Sequence, residues 1–166
     1  MVTPTQALAW KIEQKDGVTH VALSGEVTED THFHPLVQSL RGPVVMDLSG
    51  VRRFNSFGVR EWLGFMRALA DPPRSVVFER CSLSVAAQLN MIANFAGPAQ
   101  VKSVQAPYFC RPCTQEHLRL LETGPLAVKR LGEPFPCPVC QAPMEFDDLP
   151  EEFLSFQDPS PPRERA

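Results

Sequence analysis

Nowhere in this 166-residue sequence does an apolar run approach the roughly 20 residues that a membrane-spanning helix needs, so no membrane insertion is expected. The opening residues, MVTPTQALAWK, lack the basic and apolar regions of a secretory signal, which leads to the expectation of a cytoplasmic protein. There is no glycine-rich phosphate loop, and His20, His32, His34 and His117 have no serine, cysteine or carboxylate constellation around them. The chain is therefore read as a non-enzyme. An excess of basic charge is missing too: the net charge is -3, so the whole chain does not point to nucleic acid or to an anionic lipid surface. A disulfide framework is not expected in a reducing compartment, which leaves the five cysteines to be explained by their spacing.

What is present is a hydrophobic content of 43%, enough for one ordinary core and a small appendage. Charge divides the chain unevenly. Residues 1–106 carry ten Lys/Arg against nine Asp/Glu, whereas 107–166 carry six against ten. The expected organisation is one domain over 1–106, a small module with an acidic amphipathic segment over 107–157, and a disordered proline-rich tail over 158–166.

The first part alternates in the manner of an α/β domain. LAWKIEQ and VTHVALSG flank Asp16-Gly17, a dipeptide favoured in two-residue hairpin turns, and predict two antiparallel strands. Phe33, Leu36, Val37 and Leu40 follow at helical spacing, beginning close to Pro35. PVVMDL reads as a strand covered on both faces, and the helix after it places Val59, Leu63, Met66 and Ala70 on one face. Its second apolar row, Trp62, Phe65 and Leu69, is wider than one sheet face needs and is expected under neighbouring loops or the C-terminal module, with a partner surface as the alternative. SVVFER gives another strand. Val85, Leu89, Ile92 and Ala96 give a helix stopping at Gly97-Pro98, and AQVKSV a last short strand. The order is ββαβαβα plus a terminal strand, hence a mixed sheet with helices packed on it.

The strand VVMDLSGV, the turn NSFG and the helix opening VREWLGFM together resemble the central signature of STAS domains, the family of anti-sigma-factor antagonists. The order of elements agrees over residues 7 to about 106. In bacterial antagonists of this family, the serine opening this helix is phosphorylated by a partner kinase that is also the anti-sigma factor. The unmodified domain binds and the phosphorylated one releases. The resemblance implies a signalling protein of this kind, with Ser56 as the phosphorylated switch and Asp47 matching a family acid. Asn55 stands where the family usually has an acid, Phe57 where a second serine is common, and Thr28 at a further acidic position.

Physical chemistry is compatible with that role. A helix N-terminus has unpaired N–H groups and a positive dipole end, so it tolerates a phosphate, and a phosphate adds roughly -1.5 to -2 charge to any surface docked there. Arg52, Arg53 and Arg60 are placed to meet it and, with Asp47 and Asn55, make up the expected partner surface. The other reading makes Ser56 or Asn55 an N-cap worth about 1 kcal/mol and the arginines a solvated face.

The second part contains two C-x-x-C pairs, CRPC and CPVC, separated by 23 residues. Each pair can set two thiolates on one tight knuckle, and Cys110, Cys113, Cys137 and Cys140 together supply the four tetrahedral ligands that zinc prefers. Four protein ligands leave no position for substrate, so one structural zinc in a ribbon is expected. His117 is the alternative ligand, and Cys81 reads as a core thiol. MEFDDLPEEFLSFQ mixes large apolar residues with acids and either folds back on the first domain or forms a solvated helix. The partner is expected to be a protein, either an anti-sigma-factor-like kinase or another regulator, and nucleic acid is not expected. A homodimer is one oligomeric option. The alternatives are a zinc-ribbon nucleic-acid regulator and a STAS component of a transporter complex.

Overall fold

The computed structural model describes residues 6–157; the tail assigned to 158–166 lies outside them. Two sheets are built. The first has five strands in chain order: β1 (Ala9–Lys15), β2 (Val18–Val27), β3 (Val44–Phe54), β4 (Val76–Glu79) and β5 (Ala99–Val101). β1 pairs antiparallel with β2 and the remaining pairings are parallel, so the sheet is mixed. The hairpin turns at Asp16 (φ 51°) and Gly17 (φ 78°); two successive left-handed residues give a turn whose twist matches the strands.

Helices α1 (His34–Ser39), α2 (Ser56–Ala70) and α3 (Leu83–Met91) connect the parallel strands. Their apolar sides close on the sheet face formed by Val21, Leu23 and Val27 of β2, Val44, Met46 and Leu48 of β3, and Val76 and Phe78 of β4, all of them buried. This is the mixed α/β arrangement expected, with helices packed on the sheet. Only one face is covered, however: Val45, Asp47, Val77 and Glu79 alternate with the buried positions and are half-buried. The apolar run in β3 thus reflects one packed face and a few valines on the open one.

The core row of α2 is the one assigned to a secondary role. Gly58, Trp62, Phe65, Met66 and Leu69 are buried, whereas Val59 and Leu63 are half-buried and Ala70 is exposed. Trp62 fixes the rotation of the helix. It stacks on Phe95 at 5.4 Å, meets Phe33, Phe54 and Phe65 edge to face, and donates its Nε1–H to the Phe95 carbonyl at 2.9 Å. This requirement also shortens α3. The helix stops at Met91, before the expected Gly97, and turns through Asn94 (φ 60°) so that Phe95 enters the core.

The expected single terminal strand is two. After β5 only Lys102 intervenes before β6 (Ser103–Cys110), which opens the second sheet. Lys102 donates its N–H to Phe78 and its carbonyl accepts from the N–H of Thr123. The second sheet runs in the order β7 (Gln115–Glu122), β6, β9 (Pro143–Phe146), β8 (Phe135–Pro136), all antiparallel. Residue 106 falls within β6. Cys81 and Val104 form a bridge between the sheets, and both are buried in one continuous core.

The remaining elements are α4 (Ala127–Leu131), α5 (Pro150–Phe153) and a single 3-10 turn, Ser155–Gln157. Of the two readings of the acidic segment, the fold-back on the first domain is the one observed, and it lands on α3. Asn90 Nδ2 donates to the Phe153 carbonyl, and Asn90 Oδ1 accepts from Ser155 Oγ and the Phe156 N–H. Among the described residues, no helix is long and apolar enough to cross a membrane.

Candidate functional site

The first site is the turn between β3 and α2. Asn55, in extended conformation, is the N-cap: its Oδ1 accepts from the Gly58 N–H at 2.7 Å. Its Nδ2 donates to Glu29 Oε2 at 2.5 Å, and this bond holds the Glu29 carboxyl below its ordinary value. With the cap supplied by Asn55, Ser56 stands exposed at the first helical position, and Phe57 beside it is 62% exposed. Arg60 lies four residues on along the same helix, the spacing that brings side chains together, and is exposed. Arg53 is opposite Glu26 in the β2–β3 register, and Arg52 donates to the Gln6 side chain.

Asp47 is not part of this cluster. It sits seven residues before Phe54 on β3, a separation of roughly 20 Å along a strand. There it occupies the open sheet face, where it accepts from the Ser49 N–H and hydroxyl and pairs with Arg80.

Two contributors were not recognised from sequence. Glu29 is one residue beyond the position compared with the family acid, and only the fold of the β2–α1 loop brings it to the helix start. Gly58 carries a signal that local reading does not decode. A Cβ there would lie 1.9 Å from the Val27 carbonyl oxygen, so α2 enters with its backbone against the end of β2.

The second site is the cysteine cluster. Cys110 ends β6, Cys113 follows a tight turn leading into β7, and Cys137 and Cys140 lie on the turn between β8 and β9. Left-handed residues after each pair, Thr114 (φ 52°) and Gln141 (φ 64°), close the two knuckles. The four Sγ atoms lie within 4.8 Å of one another, with Cys110 to Cys140 at 3.5 Å and Cys113 to Cys137 at 3.9 Å. Four sulfurs about 2.3 Å from a central tetrahedral ion are roughly 3.8 Å apart, so the set is of a size to hold one metal ion. No pair is joined as a disulfide.

The thiols differ in how readily each gives up its proton. Backbone N–H groups of Cys140 and then Val139 favour the Cys137 thiolate, bringing its pKa down to about 6. Its neighbour Cys113 is pushed up to about 12, first by its bond to Cys140 and then by burial. Four negative sulfurs at this spacing repel one another, and a cation at their centre removes the penalty. His117 is beside the set, with Nε2 3.9 Å from Cys137 Sγ. The mutually close ligand atoms are the four cysteine sulfurs, and His117 is not among them. Cys81 lies apart, fully buried, and burial pushes its thiol up to about 12.

No family model matches this chain, and no curated protein matches it either. Among solved structures it is similar to one titled as the anti-sigma factor antagonist SpoIIAA in its unphosphorylated form, with 17% identity and a TM-score of 0.38, over 56% of this chain and 87% of that one. A likeness of this size assigns neither a role nor a partner to this chain.

Proposed function

We propose that the chain is a non-enzymatic regulatory protein whose STAS-like domain binds a protein partner at the N-terminus of α2, with phosphorylation of Ser56 as the switch and a structural zinc in the four-cysteine module. The observation that carries the reading is the division of labour at the helix start. Asn55 caps the helix, so the Ser56 hydroxyl is exposed and free of that task. A phosphate on Ser56 lies against the N–H groups of the first turn and within side-chain reach of Arg60, while its charge alters the surface around exposed Phe57.

The four thiols fit zinc by number, chemistry and spacing. Bound zinc supplies a closed tetrahedral crosslink that joins the β6–β7 connection to the β8–β9 turn. The residues that hold it are Cys110, Cys113, Cys137 and Cys140.

The test is to recover the partner from cells with the tagged parent, Ser56→Ala and Ser56→Asp, and to map phosphorylation by mass spectrometry. Retention by Ser56→Ala and loss by Ser56→Asp are expected. Equal recovery by all three rejects the switch.

A further inference from the structure

The second sheet ends in a strand whose outer edge is unpaired among the described residues. β7 pairs with β6 along its whole length and, among the described residues, with nothing on its other side. It has eight residues with no proline, glycine or bulge, so charge alone guards it, from Glu116 and Glu122 outward and Arg119 inward. Its inward positions His117, Arg119 and Leu121 face the cysteines, the Tyr108 and Phe135 rings and the core. Its outward positions are Glu116, Leu118, Leu120 and Glu122. The two leucines are 48% and 53% exposed.

Charge selects the occupant. Residues 107–157 carry four Lys/Arg against eight Asp/Glu, and a tetrathiolate metal centre adds further negative charge. Glu116 has no ion-pair partner among the described residues, and Glu122 is met only by Arg130 at 3.8 Å. A second copy is disfavoured in the register that sets the two leucines against each other. Antiparallel self-pairing that sets Leu118 opposite Leu120 also sets Glu116 opposite Glu122 and Arg119 opposite itself, and like charges across a strand pair repel. We propose that β7 is a strand-addition site for an extended, basic, alternately apolar segment of a protein partner, whose backbone pairs with the free edge and whose apolar side chains cover Leu118 and Leu120. This does not rest on the Ser56 reading.

The experiment uses the full metal-loaded chain and fluorescence anisotropy with three labelled peptides. One alternates lysine and valine, the second has the same composition with lysines and valines in separate blocks, and the third alternates glutamate and valine. The alternating basic peptide is expected to bind at least about tenfold more tightly than either of the others, and to weaken by about tenfold with each of Leu118→Ser and Leu120→Ser. Metal content and circular dichroism of these exposed-site variants check that the module is intact. Equal binding of the blocked peptide reduces the effect to bulk charge and overturns the proposal. So does an absence of binding, or a concentration-dependent dimer of the parent that the same substitutions abolish.

Discussion

Asn55 and Glu29 meet side chain to side chain across the start of α2, Nδ2 to Oε2 at 2.5 Å, while the other end of the Asn55 amide caps the helix. One amide thus fixes the first turn of α2 to the loop leaving β2. Asn55→Ala is expected to cost about 1–2 kcal/mol in denaturant unfolding. Because the bond lowers the folded-state pKa of Glu29, its contribution is present above the ordinary value of 4.5 and is lost as pH falls through the lowered one. Glu29→Gln should therefore be less stable than the parent at neutral pH, with the gap closing on acidification below 4.5. A gap independent of pH would exclude the ionised bond.

Gly58→Ala places a methyl group into the Val27 carbonyl, and no flexible side chain is available to yield. A loss of about 3 kcal/mol is expected from the urea midpoint. Gly64, in the same helix with open space around it, is the control. Its alanine variant should be neutral or up to about 1 kcal/mol more stable.

Elemental analysis of protein purified without added zinc should give one zinc per chain. Cys137→Ser should lose the metal together with hydrogen-exchange protection in β8 and β9, which pair through only two residues each way beyond the knuckle. Since the ligands bind as thiolates, acidification should release the metal. Loss of metal with these strands still protected would refute the structural role.

Asn90→Ala removes three hydrogen bonds to the segment from Phe153 to Phe156. At roughly 1 kcal/mol each, that segment should become open to protease and exchange rapidly while the zinc content stays at one. An unchanged cleavage pattern would show that the burial of Phe153 and Leu154 and the Gly124–Gln157 hydrogen bond suffice to hold it.

Much of this was legible because local chemistry was unambiguous. Asp16-Gly17 announces its hairpin, the strand periodicities give the sheet, and two C-x-x-C pairs announce the convergence of four cysteines. The failures share one cause. Whether Val59 or Trp62 faces inward, and whether α3 reaches Gly97, is decided by the Trp62–Phe95 stack, a contact between residues 33 positions apart. No window of sequence contains it. The same holds for Asn90, whose side chain looks like any polar helix residue until the acidic segment returns to it. The four cysteines could be named in advance from their spacing, whereas Glu29 depended on a loop conformation.

One consequence attaches to Lys102. It is the only residue between the two sheets, and it is pinned by Phe78 on one side and Thr123 on the other. There is no slack in which a swivel could sit. A surface on one sheet therefore stands at a set angle to a surface on the other, as on a jig rather than a tether. Lengthening this junction by a single glycine should spoil any assembly that depends on that angle, even where each surface on its own still binds.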